Sequence, residues 1–214
     1  MSKEVISDRQ ATSLIILFIG GSTLLFGTGG EAEQDAWLSI LLSILYAFPI
    51  LMIYARILSL FPQKDLFDIL ELVFGKFLGK IISLLYIWFA LHLGTLVLTD
   101  FGDFPTIVSI GKTPKIVPMT CIIFLCSWAI KEGIEVLGRW GEFSIWGFIF
   151  TAIVGTSLLT PNWDINNIQP VLYKGIKPVL QGAFAVFSFP FAETILFCYV
   201  FSSLKYKKSP YRVY

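Results

Sequence analysis

The segment VLQGAFAVFSFPFAETILFCYVF, residues 179–201, is a hydrophobic run interrupted near its middle by a proline and soon afterwards by a glutamate. A second run, LIILFIGGSTLLF at residues 14–26, is interrupted by two glycines and a serine. In lipid, every backbone N–H and C=O group needs a partner within the protein, so a helix breaker is tolerated only beside protein or a water-filled cavity. Two interrupted spans separated by other helices are therefore typical of a solute site near the bilayer midplane.

The composition is that of a membrane protein. Of the 214 residues, 56% are hydrophobic and 14% are charged, and the mean hydropathy is +0.76. The formal net charge of +1 and the lack of a dense basic face argue against a nucleic-acid partner. Cys121, Cys126 and Cys198 lie in apolar runs without the spacing of a metal site, so we interpret them as buried apolar residues. No catalytic set, cofactor or metal ion is predicted, and an enzyme is not expected.

The hydrophobic runs predict an all-α membrane protein. A bilayer core needs about 20 mostly apolar residues per helix. The sequence predicts one transmembrane domain over residues 1–204 and a basic cytoplasmic tail at 205–214. Within the domain we expect six spans, of which the first and sixth are discontinuous, and a short surface helix at 65–74. The predicted spans are 11–27, 37–60, 80–99, 116–131, 140–160 and 178–204.

The distribution of basic residues predicts the orientation of these spans. If the N-terminus is cytoplasmic, twelve of the 16 Lys and Arg residues lie in cytoplasmic segments and four lie in outer segments. Since cytoplasmic loops carry an excess of Lys and Arg, both termini are predicted to be cytoplasmic.

Several runs along the chain are similar to one family, the spore germination permeases. These proteins are the B-type subunits of nutrient germinant receptors in endospore-forming bacteria, within the amino acid–polyamine–organocation transporter superfamily. The resemblance continues through nearly the whole chain to about Leu204. The runs that carry it are Ile6-Ser7-x-x-Gln10, Gln34-Asp35-Ala36-Trp37, Gly133-Ile134-Glu135 with Arg139, Asp164 to Val171 and Phe187 to Glu193.

The resemblance implies a LeuT-like fold of two inverted five-helix repeats. It also implies a small germinant, such as an amino acid, bound at the first and sixth helices. The protein would lie in the spore inner membrane or the bacterial cell membrane, beside a larger membrane subunit and a lipoprotein subunit. The family has about ten spans in its two repeats, whereas six are predicted here. We therefore expect a truncated member, holding the first repeat and the start of the second, that by itself binds no germinant with useful affinity.

Seven residues at the two interruptions are candidates for binding the substrate. Backbone amides at the first interruption can face a carboxylate, as helix N-termini do, although small residues there also allow close helix packing. The aromatic residues and proline at the second interruption can line a pocket or form a simple kink. The glycines at 27, 29 and 30 are interpreted as the end of the helix. The seven candidates are Gly20, Gly21, Ser22, Phe189, Pro190, Phe191 and Glu193.

Three polar features, one of them Glu193, have more than one interpretation. Glu193 inside a span costs about 2–3 kcal/mol on insertion scales, so a function is the default hypothesis. It can receive a substrate ammonium group, couple a proton or pair with another helix. His92, the single histidine, is expected to be a hydrogen-bonded core residue rather than a proton relay. Glu135, Arg139 and Glu142 are spaced to form a salt-bridged strip on one helix face, which is expected to be structural rather than a gate.

These observations leave three hypotheses for the function. The first is the membrane subunit of a germinant receptor, which binds a nutrient with little or no transport. The second is a proton-coupled amino-acid permease that uses Glu193. The third is a truncated remnant without a function of its own.

Overall fold

The computed structural model describes residues 5–25, 27–108, 113–204 and 208–214. Helices account for nearly all of this part of the chain. An isolated backbone bridge between Ile6 and Leu204 is the only extended pairing within it. An all-α fold is therefore confirmed.

The first helix, α1 (Asp8–Leu25), begins at the predicted capping box. The Ser7 backbone N–H donates to Gln10 Oε1 at 2.9 Å, and the Gln10 backbone N–H donates to Ser7 Oγ at 3.3 Å. The helix continues without a break through residues 20–22, so the predicted interruption of the first span is wrong. Gly20 instead lies against Phe148, whose ring a Cβ atom at position 20 would overlap. Close packing between helices explains the glycine there.

Four further helices follow, and glycines bend one of them and separate two others. The helix α3 bends at Gly75, where φ is 79° and ψ is 167°, so that residues 66–74 form a separate short helix where one was predicted. Gly133, with φ of 86°, separates α4 from α5. The helices are α2 (Ala36–Leu60), α3 (Leu66–Val108), α4 (Ile116–Glu132) and α5 (Ile134–Leu159).

The predicted interruption of the sixth span is confirmed. The helix α6 (Ile176–Val186) runs into a π-helical turn at Phe187–Phe191 and a 3-10 turn at Ala192–Leu196. The short helix α7 (Phe197–Val200) and a last 3-10 turn complete this segment. We refer to residues 176–203 as the broken helix.

Four stretches of the described chain are long and apolar enough to cross a membrane. They are Gly30–Leu60, Leu66–Phe104, Ile134–Asn162 and Ile176–Ser203. The helices α1, of 18 residues, and α4, of 17 residues, coincide with the other two predicted spans. Six crossings and the LeuT-like repeat therefore stay predictions.

The two ends of the described chain lie side by side. The Ile6 backbone N–H donates to the Ser203 carbonyl at 3.1 Å, and further along α1 the rings of Phe18 and Phe197 pack at 5.4 Å. The start of α1 thus meets the end of the broken helix, and the two run antiparallel. This arrangement is what an even number of crossings requires.

The end of the predicted tail is packed onto the bundle. A short helix, α8 (Pro210–Val213), lies against α1 and α2, and Pro210 and Val213 are buried. Arg212 forms an ion pair with Asp8 at 3.5 Å. The described residues 208–214 are therefore part of the folded domain rather than a free tail.

Two expectations about polar side chains are wrong. His92 is exposed, and its ring stacks on Trp88 with centroids 5.4 Å apart, so it is not a core residue. Cys121 and Cys126 are exposed as well, because α4 contributes no buried residue to the bundle, while Cys198 is buried as expected. The Glu135–Arg139 pair of the predicted strip is present at 3.5 Å.

Small residues hold α2 against α6. Ser39, Ser43 and Ala47 are buried on α2, and their spacing of four residues places them on one face of the helix. Ser39 Oγ donates to the Val179 carbonyl at 3.0 Å. A Cβ atom at Gly182 would lie 2.8 Å from Ser39 Oγ. Glycine therefore permits the close approach that transmembrane helices need in order to pack.

Replacement of glycine by alanine is expected to have opposite effects on stability at Gly182 and Gly147, because a close neighbour lies only at Gly182. Gly182→Ala is expected to destabilise the chain by about 1–3 kcal/mol, because the added methyl displaces Ser39. Gly147→Ala in α5 meets no atom within 4 Å and is expected to stabilise the helix by about 0.5–1 kcal/mol. Thermal unfolding of the two variants in detergent measures the difference. Equal melting temperatures would contradict the close contact.

Candidate functional site

The break after α6 leaves backbone carbonyls without their usual helical donors. Phe189 has φ of −133° and ψ of 114°, and Pro190 has no backbone N–H to donate. The Tyr54 hydroxyl donates to the Ala192 carbonyl at 3.2 Å. The Tyr214 hydroxyl donates to the Thr194 carbonyl at 2.9 Å. Side chains from other parts of the fold thus add hydrogen bonds to the turn that follows the break.

Tyr214 is well placed for this role. Its ring packs against those of Tyr54 and Phe201, each at a centroid distance of 5.9 Å. Burial raises the pKa of the Tyr214 phenol above its usual value, so the hydroxyl keeps its proton and stays a donor at neutral pH.

A cavity of about 380 Å³ lies beside the break. One wall is the turn that follows α1, and the other is the last part of α6 with the first residues of the break. The lining residues are Gly27, Thr28, Gly29, Gly30, Glu31, Ala185, Val186 and Phe189. We refer to this space as the break cavity. It combines a backbone-rich turn with an apolar wall, which is the usual make-up of a small-ligand site.

The structure brings only part of the predicted site to this cavity. Phe189 lines it, and Pro190 is buried at the break. Phe191 and Glu193 follow the break and are half-buried, and neither is among the lining residues. The predicted site residues Gly20 and Gly21 lie within α1 and are not among the lining residues either, and the backbone of Ser22 continues the same helix.

The turn that follows α1 contributes to this cavity, although its residues are not among the predicted site residues. The turn at residues 27–31 was interpreted only as a helix end, but it forms a wall of the cavity. The signal was the density of glycine, because Gly29 adopts φ of 79°, a conformation that other residues rarely accept. Ala185 and Val186 gave no signal, since they are ordinary apolar residues of a helix.

A shallower groove of about 570 Å³ adjoins the break cavity. The two spaces share Glu31 and Ala185. The groove is also lined by Lys177, Leu180, Gln181 and Phe184. A carboxylate and an ammonium group therefore stand at the approach to the cavity.

Glu193 is the one acidic side chain of the broken helix. It is half-buried and makes no hydrogen bond or ion pair within the described part of the chain. Of the three hypotheses for Glu193, pairing with another helix has no support in these residues.

The turn before α2 is fastened to the loop before α6. Both carboxylate oxygens of Asp35 lie 3.1 Å from the Leu172 amide nitrogen. Gln34 Nε2 donates to the Pro170 carbonyl at 3.0 Å, and Lys174 forms an ion pair with Glu33 at 2.7 Å. Two of the sequence runs that suggested the family, at residues 34–37 and 164–171, thus meet at one contact.

Comparison with known proteins identifies the family. The family described as "Spore germination protein" matches residues 5–214. Spore germination protein KB of Bacillus subtilis (strain 168) is 31% identical over 211 residues, which cover 97% of this chain and 57% of that protein. Spore germination protein YndE of the same organism is 31% identical over 183 residues, covering 83% of this chain and 50% of that protein. No solved structure matches the chain.

The chain spans about half the length of the curated relatives it matches. The match covers the turn at 27–31, the broken helix and the contact at Asp35. With four helices long and apolar enough to cross a bilayer and a match to the family over nearly its whole length, the chain is an integral membrane protein that belongs to the spore germination protein family.

Proposed function

We propose that the chain is the membrane subunit of a spore nutrient-germinant receptor and that it binds a small nutrient in the break cavity. The observation that carries this proposal is the cavity itself, between the turn at 27–31 and the break at Phe189. Its volume of about 380 Å³ lies at the lower end of the range of about 300–1,000 Å³ for ligand pockets. A solute the size of an amino acid suits this space better than a peptide or a nucleotide.

The charges at the cavity favour an amino acid among small nutrients. Glu31 lines both the cavity and the groove, and Lys177 lines the groove. An amino acid carries an ammonium group that can pair with Glu31 and a carboxylate that can pair with Lys177. Hydrogen bonds between ionised groups are stronger than those between neutral groups. Val186 and Phe189 provide an apolar surface for its side chain.

Filling the cavity tests the proposal. Ala185→Trp places an indole between the two walls, so the nutrient concentration for half-maximal germination is expected to rise at least about tenfold, a loss of about 1.4 kcal/mol in binding. The matched control is Ala129→Trp. Ala129 is also half-buried and lines a separate cavity of about 460 Å³ between α4 and α5. Spores carrying this control should respond within about twofold of the parent.

Both variants must be present in spore membranes at the parental amount for this comparison to count. An unchanged nutrient response with Ala185→Trp, at a normal amount of protein, would show that the cavity is not the binding site.

A proton-coupled amino-acid permease is the alternative, and Glu193 favours it. An acidic side chain within a membrane span that has no partner among the described residues is a candidate for carrying a proton. Vesicles containing the chain distinguish the two functions. Nutrient uptake that depends on a pH gradient and is lost with Glu193→Gln would establish the permease, whereas germination without uptake supports the receptor.

We also propose that both described ends lie in the cytoplasm, with the contact at Asp35 on the outer side of the spore inner membrane. The excess of Lys and Arg on the side of the two ends supports this orientation, as does their contact through Ile6 and Ser203. A membrane-impermeant maleimide should modify a cysteine placed at Tyr173 from outside, but not one placed at Tyr211. Outside labelling at Tyr211 would contradict the orientation.

As a receptor subunit, the chain would act with a larger membrane subunit and a lipoprotein subunit. The family resemblance supports this part of the proposal. Both subunits should co-purify with the tagged chain from detergent-solubilised spore membranes, and recovery of the chain without either would contradict it.

A further inference from the structure

A buried carboxylate outside the break cavity connects the two walls of that cavity. Asp35 is only 3% exposed, and its two oxygens share the Leu172 amide at 3.1 Å. A carboxylate removed from water must be compensated by hydrogen bonds. The contact between Asp35 and Leu172 is therefore a specific one rather than a chance surface contact.

The contact between Asp35 and Leu172 joins the two segments of chain that lead to the cavity walls. Asp35 ends the 3-10 turn Gly30–Asp35, whose first residues belong to one wall. Leu172 lies four residues before α6, whose last residues form the other wall. The walls are separate segments of chain, and Asp35 joins them at their outer ends.

The backbone on each side of the contact is held in an unfavourable conformation. Glu33 has φ of 48° and Leu172 has φ of 58°, a region that residues with a Cβ atom rarely adopt. Such conformations persist where surrounding contacts enforce them. The Asp35 carboxylate is the contact that reaches the Leu172 amide itself. Loss of this carboxylate thus removes a restraint on the loop as well as a hydrogen bond.

We propose that Asp35 is a positioning residue for the break cavity. Its carboxylate holds the loop at 170–175 on the turn at 30–35, and this contact, together with the close packing at Gly182, sets the separation of the two cavity walls. Release of the contact lets the walls move apart and exposes the cavity to the outer side. The consequence for nutrient sensing rests on the proposed function, while the effect on the cavity walls does not.

A pair of matched substitutions separates Asp35 from its acidic neighbour. Asp35→Ala and Glu33→Ala each remove one negative charge from the same turn. The Glu33 side chain is 57% exposed in its ion pair with Lys174, and exposed ion pairs contribute little. Asp35→Asn is an intermediate variant, because the amide oxygen can still accept from Leu172 while the charge is lost.

The rate of modification at the cavity wall measures the separation of the walls. Ala185, which lines the cavity, is replaced by cysteine in the parent and in each variant. A membrane-impermeant maleimide is then applied to right-side-out vesicles that contain the full chain. The same chains with Ala185 give the background from Cys121, Cys126 and Cys198.

The expected order of modification rates follows the strength of the remaining contact. Asp35→Ala is expected to speed the reaction at least about fivefold, since hydrogen bonds to charged groups are among the stronger ones. Asp35→Asn should give a smaller increase, and Glu33→Ala should stay within about twofold of the parent. If Asp35→Ala fails to accumulate in the membrane, Asp35→Asn decides. Equal rates in the parent, in the Asp35 variants and in Glu33→Ala overturn the proposal.

The nutrient response of spores that carry the Asp35 variants is the second measurement, after the modification rates. The half-maximal nutrient concentration should rise about tenfold in Asp35→Ala, with the maximal germination rate and the amount of protein unchanged. A residue that only supports folding would lower the amount and the maximum instead. That outcome, with unchanged modification rates, also overturns the proposal.

The two proposals fail in different ways. If no amino acid slows the modification of the cysteine at 185 in the parent chain, the proposed function fails. The order of rates among the Asp35 and Glu33 variants still tests the positioning role in that case.

Discussion

The constraint on which this structure depends is that no backbone polar group can be left unpaired in lipid. The broken helix interrupts the regular backbone hydrogen bonding at Phe189 and Pro190, and side chains from elsewhere in the fold add hydrogen bonds to the turn that follows. Tyr54 from α2 and Tyr214 from the end of the chain donate to the carbonyls of Ala192 and Thr194. These contacts hold the segment that follows the break, while Phe189 at the break itself lines the cavity.

Close packing of small residues makes this support possible. Ser39 and Gly182 bring α2 within reach of the broken helix, so the Tyr54 hydroxyl can cover the break further along the same helix. Gly20 allows the same close approach of Phe148 in α5 to α1. In lipid, helices gain little from burying apolar surface, so contacts of this kind carry much of the association.

The sequence was sufficient for those features that depend on local rules. The capping box at Ser7, the separate helix at 66–74 and the break at Pro190 follow from residue chemistry at short range. The continuity of α1 through residues 20–22 did not, because a Gly-Gly-Ser run is compatible with a helix when another helix packs against it. The exposure of His92 and of two cysteines was also missed, since hydropathy does not tell an outward-facing residue of a membrane helix from a buried one. The contact of Asp35 with Leu172 joins residues 137 positions apart, beyond the range of any local pattern.

Occupation of the break cavity by a small nutrient can be tested by covalent capture. Membranes containing the chain, alone and together with the part of spore germination protein KB that the match does not cover, would be irradiated with a diazirine-bearing amino acid. Mass spectrometry of the peptides then locates the adducts. We expect adducts at residues 27–31 or 185–189 that unmodified amino acid suppresses. Suppressible adducts confined to other parts of the chain, such as the α1 segment at residues 20–22, would contradict it.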